Sequence, residues 1–182
     1  RVHTDGITSL ALGGGFLATA SDDRTIGVWD VSGREPRVTW RSRAHDFLVN
    51  ALLLAGSPPS LWSSSSDGTI KHWSWPELEV VESLSTTELL GERASLAAFW
   101  LGGGPAGDGT ERVVAGTWRN ALVDFERADG AWRATRHPIA SAGAYSLTRI
   151  GQEDALLVVG VDPGRLYVYD LERRRLLGVA LP

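Results

Sequence analysis

The chain has 182 residues, 43% of them apolar and 22% charged, and carries a net charge of −4. That balance excludes a disordered chain, and no apolar run approaches the roughly 18 residues a membrane helix needs. Cysteine is absent, so there is neither a disulfide framework nor a thiolate metal site, and a reducing compartment, the cytoplasm, is expected.

Short strands rich in Val, Leu, Thr and aromatics, bounded by Gly, Pro, Asp and Ser, follow one another along the whole chain, and no 12-residue segment carries a helical stripe. Ile7 to Leu12, Phe16 to Ala20, Thr25 to Trp29 and Arg37 to Arg41 form the first set, with Gly13-Gly14-Gly15 as a hairpin turn. Val49 to Leu54, Leu61 to Ser65, Thr69 to Trp73 and Glu79 to Leu84 form the second. The third is Ser95 to Phe99, Arg112 to Gly116, Ala121 to Phe125 and Trp132 to Arg136, interrupted by a turn-forming insertion over Gly102 to Gly109. Ala144 to Ile150, Ala155 to Gly160, Arg165 to Tyr169 and Leu176 to Leu181 complete the fourth.

The sets are copies of one another. Ala18-Thr19-Ala20-Ser21-Asp22-Asp23-Arg24-Thr25-Ile26-Gly27-Val28-Trp29-Asp30 follows His3, and Ser63-Ser64-Ser65-Ser66-Asp67-Gly68-Thr69-Ile70-Lys71-His72-Trp73 follows His45. The two tryptophans stand 44 residues apart, a period that four-stranded propeller blades produce. Two weaker copies end on Phe125 and Tyr169, 52 and then 44 residues further on.

This pattern resembles the WD40 repeat family. His3 and His45 occupy the histidine of its Gly-His pair, with Val2 and Ala44 replacing Gly, and Trp29-Asp30 is its Trp-Asp pair. The resemblance implies an all-β chain of four WD40-like β-propeller blades, each of four antiparallel strands, near residues 3–43, 44–88, 89–137 and 138–182. Families of this kind mostly close with seven or eight blades, so the chain is expected to be half of such a ring. An open ring leaves apolar sheet faces wet at about 25 cal/mol for each Å². Three arrangements therefore stand: a slice of a longer propeller, a half-ring closed by a second copy or a partner chain, and a four-bladed ring. A start at Arg1 with no Met anywhere favours the slice.

Ser or Thr with His and Asp suggests nucleophilic catalysis. In the family these residues form a buried chain running Asp to His, His to hydroxyl and hydroxyl to indole, so His3, Thr19, Asp23 and Trp29 are expected to converge, as are His45, Ser63, Asp67 and Trp73. The hydroxyl is consumed by tryptophan and no oxyanion donors stand beside it, so no catalytic residue is assigned. The third and fourth copies lose the whole set, with Ala115 and Arg119 in one and Val159 and Pro163 in the other at the hydroxyl and Asp positions.

Trp118 falls in the turn where the first copies carry Asp22 and Ser66, either packed as a plug or exposed as an anchor. With Arg119, Phe47 and Asp5 it defines the candidate partner-binding rim. His72 reads as a surface histidine and Arg173-Arg174-Arg175 as a solvated charge run. Histidines and carboxylates show no metal-ligand spacing, and no cofactor is expected. Of eighteen basic residues only Lys71 is lysine, and the arginines are scattered without a basic stripe, so nucleic acid is not an expected partner. The leading reading is a non-catalytic scaffold that binds a protein or peptide. The alternative, a propeller enzyme, would need paired carboxylates that isolated Glu92 and Asp162 do not supply.

Overall fold

A computed structural model describes residues 2–103, 111–139, 143–150, 156–161 and 165–177. The backbone forms two compact units, Arg1–Ser85 and Thr86–Pro182. Each unit contains two four-stranded antiparallel sheets.

In the first unit, β1 (Ile7–Gly13), β2 (Phe16–Ser21), β3 (Thr25–Asp30) and β4 (Arg37–Arg43) pair in sequence order. β5 (Val49–Ala55), β6 (Ser60–Ser65), β7 (Thr69–Trp73) and β8 (Val80–Ser85) repeat the arrangement. Gly14 and Gly15 both adopt positive φ, 61° and 80°, which is what a two-residue hairpin between right-twisted strands requires. Arg24 (φ 72°) and Gly68 (φ 87°) hold one turn position in the two sheets.

Cross-strand rows alternate between faces. Ala11, Ala18, Val28 and Trp40 form one row of the first sheet, and Leu12, Leu17, Trp29 and Val38 the adjacent, opposite one. β1 and β2 pack on β5, and the core joins Ala18, Ala20, Ile26 and Val28 to Leu52, Leu61 and Trp73. Phe16 meets Trp75 edge-on at 6.3 Å, and the Trp75 indole N–H donates to the Gly13 carbonyl at 3.2 Å.

The second unit opens with a five-residue helix, α1 (Thr86–Leu90). β9 (Leu96–Gly103), β10 (Glu111–Thr117), β11 (Ala121–Ala128) and β12 (Ala131–Pro138) follow, and β13 (Ala144–Ile150), β14 (Leu156–Val161), β15 (Arg165–Asp170) and β16 (Arg175–Leu176) form the last sheet. The expected insertion beyond Gly103, the turn carrying Asp162 and Pro163, and the tail of the last strand beyond Leu177 lie outside the described residues. β9 and β10 pack on β13 around Val114, Leu122, Leu157, Val159 and Tyr169. The backbones approach so closely that a Cβ on Gly116 would sit 2.3 Å from the Ala144 carbonyl oxygen.

All four sheets share one irregularity. Register slips between Ile7 and Ser9, Val49 and Ala51, and Ala144 and Ser146, and again where Thr117 and Gly116 meet Leu96 and Ala98. A bulge at the start of every innermost strand shows that the weak copies keep the geometry of the strong ones after losing their signature residues.

Candidate functional site

His3 precedes β1, Thr19 lies on β2, Asp23 in the β2–β3 turn and Trp29 on β3, and folding brings all four together. The Thr19 hydroxyl accepts from the Trp29 indole N–H at 3.2 Å and so donates to Nε2 of His3 at 2.6 Å. His3 Nδ1 is 2.9 Å from the Thr25 hydroxyl, which itself donates to Asp23 Oδ1 at 2.5 Å. Asp23 also receives the Thr4 amide at 2.8 Å and the Arg41 guanidinium at 3.3 Å. Burial opposes its charge, but the hydrogen bonds from Thr25 and Thr4 and the nearby His3 outweigh it and hold the carboxyl below the ordinary carboxylate range. Gly27 makes room for this arrangement, since a Cβ there would stand 3.0 Å from Thr19 Oγ1 and 3.4 Å from the His3 ring.

The second sheet repeats it more tightly. Trp73 donates to Ser63 Oγ at 2.8 Å, Ser63 donates to His45 Nε2 at 2.8 Å, and His45 Nδ1 lies 3.1 Å from Asp67 and 3.0 Å from Thr69. Thr69 donates to Asp67 at 2.6 Å, and the Asp46 amide does so at 2.9 Å. Burial pushes the His45 imidazole below its ordinary value against the pull of Asp67. Burial also works against the Asp67 charge, but donors from His45, Thr69 and the Asp46 amide prevail and lower its pKa. Both hydroxyls are buried, each engaged by an indole and an imidazole. They therefore brace the β2–β3 and β6–β7 turns and the loops entering β1 and β5.

Thr25 and Thr69 belong to these networks, although the sequence reading does not single them out. Their signal is there: each stands two residues after its Asp, where the weak copies carry Ala121 and Arg165.

The second unit, whose copies lack the tetrads, carries a different buried polar network. Arg112 on β10 grips Asp124 on β11 through Nε (2.8 Å) and Nη2, while Nη1 donates to the Leu171 carbonyl. Tyr169, at the tryptophan position of β15, donates to Asp124 at 2.9 Å and meets His137 Nε2 at 3.0 Å. The anchoring aromatic here finds its partners on the neighbouring sheet. Burial and the Asp124 charge push the Tyr169 phenol up, and burial pushes His137 down.

The rim candidates divide between the units. Asp5 and Phe47 lie in the loops entering β1 and β5, both exposed, and the Arg24 guanidinium stands over the Phe47 ring at 5.7 Å. Trp118 and Arg119 lie in the β10–β11 turn, where Trp118 is 43% exposed, so it is no plug. His72 stacks on Trp62 at 4.2 Å. Of the arginine run, Arg173 pairs with Asp170 at 2.9 Å and Arg174 reaches across to Glu126, so two of the three are engaged. Glu92 pairs with Arg136 at 3.3 Å.

The profile of the WD domain, G-beta repeat family matches residues 1–30, the stretch from the first histidine to the Trp-Asp pair. The target of rapamycin complex subunit wat1 of Schizosaccharomyces pombe (strain 972 / ATCC 24843) is 30% identical over 142 residues, 76% of this chain. The first repeat matches the WD40 family, and the relative supports that family for the chain. It spans 39% of that relative's length. Among solved structures, the computationally designed Ika4 protein matches with a TM-score of 0.70 at 21% identity, covering 93% of each chain. The designed Ika8 protein matches with the same score and identity over 92% of this chain and 46% of its own. At that identity the likeness concerns the fold. WD40 repeats are in general protein-interaction scaffolds, in a family whose members are generally not catalysts.

Proposed function

We propose that the chain is a non-catalytic recognition scaffold that holds a protein or peptide against the loops entering its innermost strands. The observation that carries this is the placement of Phe47. It is 44% exposed, yet it follows His45 and Asp46, whose ring and amide are fixed by Asp67. An aromatic presented to solvent from a braced loop loses little freedom on binding and is the residue type that dominates interface energetics. Trp118 with Arg119 offers a second anchor of that kind, and Asp5 an exposed carboxylate in the loop entering β1. The wat1 relative is by name a subunit of a complex, in keeping with a protein partner. A net charge of −4 argues against nucleic acid, and the lack of cysteine suits the cytoplasm.

Selection from a displayed random-peptide library, followed by titration of enriched peptides, tests the reading. Phe47→Ala or Trp118→Ala is expected to weaken binding by about 2 kcal/mol, roughly 30-fold, the scale of an interface hot spot. Arg34→Ala, in the β3–β4 loop at the other end of the first sheet, is expected to change nothing. Peptides that bind both aromatic variants as well as the wild type would remove the rim from consideration.

A further inference from the structure

One face of the first sheet, beyond the part that His3 and Val2 cover at Thr19 and Gly27, is a receiving surface on which Leu10 and Leu12 stand exposed. Leu10, Leu12, Leu17, Trp29 and Val38 lie on this face through two adjacent rows, Leu10-Thr19-Gly27-Arg41 and Leu12-Leu17-Trp29-Val38. The second sheet carries the same five residues at the same five positions: Leu52, Leu54, Leu61, Trp73 and Val80. There the leucines and the tryptophan form the seat of the first sheet, with Leu61 and Trp73 buried among Ala18, Ala20, Ile26 and Val28, while Val80 at the outer strand is exposed. Leu52 is 8% exposed, whereas its counterpart Leu10 is 60% exposed and Leu12 is 70% exposed. Leu52, Leu61 and Trp73 are thus buried in an interface in one sheet, while their counterparts Leu10, Leu17 and Trp29 are exposed or half-buried in the other. That costs about 25 cal/mol for each apolar Å², and a face this apolar marks a contact surface.

The chemistry of the missing occupant can be read from the occupied case. The seat on the second sheet takes small and branched apolar residues, Ala18 and Val28 in one row with Ala20 and Ile26 beside it. The last sheet presents the counterpart of that face. By register, Val158, Val168, Gly160 and Leu166 on β14 and β15 correspond to Ala18, Val28, Ala20 and Ile26. Where the first sheet buries all four, the last leaves Leu166 exposed and Val158, Gly160 and Val168 half-buried, and Leu177, which bonds to Val168, is exposed too. Thr148, the neighbour of Val158 on β13, is exposed as well.

We infer that the occupant is a second copy of this chain, docked head to tail. Val158, Leu166 and Val168 of one copy seat on Leu10, Leu12, Leu17 and Trp29 of the next, as the first sheet seats on the second within one copy. The contact is heterologous, so each copy carries one socket and one plug, and copies add until the ends meet.

Size exclusion with light scattering on the 182-residue chain tests this, against a chain mass of 19.6 kDa. The wild type is expected at a multiple of that mass. Leu12→Arg, which blocks the socket, and Val168→Arg, which blocks the plug, are each expected to run as monomers. Circular dichroism melts within a few degrees of wild type would show that both fold. Mixed together, the two variants retain one good socket and one good plug between them, and are expected to form a pair of two chains and nothing larger. Leu12→Ser serves as a milder socket variant if the arginine version does not fold. A monomeric wild type would overturn the inference, and so would a multimer that survives both substitutions or a monomer that assembles only with an added, different blade-bearing chain.

Discussion

At the scale of single residues, the WD40 signature works as a brace. Each hydroxyl of the two tetrads is saturated, because Thr19 and Ser63 each accept from an indole while donating to an imidazole. Removing one donor leaves a buried oxygen short of a partner, and trimming an indole to a phenyl ring also loses packing. Trp29→Phe is therefore expected to destabilise the first unit by about 1–3 kcal/mol. Trp118→Ala removes an exposed ring and is expected to stay within about 0.5 kcal/mol. Thermal melts of both variants decide the matter, and the reverse order would mean that the repeats are misaligned. The residue after three of the four anchors also shapes the turn that follows it. Asp30 receives the Ser32 amide at 2.9 Å, Asp170 the Arg173 amide at 2.8 Å, and Ser74 the Glu79 amide at 3.0 Å. The tetrad members were legible because they recur at fixed spacing. Thr25 and Thr69 recurred as well, but threonine in a strand reads as β-propensity before it reads as a hydrogen-bond relay.

At the scale of elements, strands were legible wherever turn chemistry bounded them, and the β1, β3 and β7 starts at Ile7, Thr25 and Thr69 fall where the sequence put them. Departures occur where hydrogen bonding continues past the last patterned residue. β11 runs on to Ala128 because Asp129 (φ 55°) and Gly130 (φ 78°) close a tight turn into β12. α1 is too short for a helical period to register in the sequence. The Arg112–Asp124–Tyr169 network was illegible for a different reason. Its members come from two sheets, Tyr169 lies 45 residues from Asp124, and no copy elsewhere repeats them. A buried pair of this kind costs most when half of it is removed. Arg112→Met leaves Asp124 charged and buried, with an expected loss of about 3–5 kcal/mol, whereas Arg112→Met with Asp124→Leu is expected to recover most of it. Urea midpoints for the single and double variants give the comparison, and a single variant near wild type would show that Tyr169 and His137 suffice to hold the carboxylate.

At the scale of the whole molecule, each unit contains a histidine whose affinity for a proton is lowered on folding, the buried His45 in the first and the half-buried His137 in the second. In the unfolded chain both take a proton near the ordinary value of about 6.5. The native state resists, so as pH falls through that value the unfolded state binds more protons and stability drops. The slope is at most about 1.4 kcal/mol per pH unit for each histidine. Stability is flat above about pH 7.5, where neither state holds these protons. Asp23 and Asp67 act in a separate window, because their folded values are depressed, so their contribution is complete above about pH 4–5 and is lost as pH falls further. Melting temperatures from pH 8 to pH 3 are thus expected to fall in two steps, the first assigned to imidazoles and the second to carboxylates. His137→Phe keeps a ring against Tyr169, 5.1 Å away in the wild type, and is expected to reduce the slope between pH 7 and pH 5 whatever it does to the plateau. An upper step unchanged in that variant would assign the proton uptake elsewhere, and a flat profile from pH 7 to pH 5 would mean that both imidazoles accept protons inside the folded chain as readily as outside it.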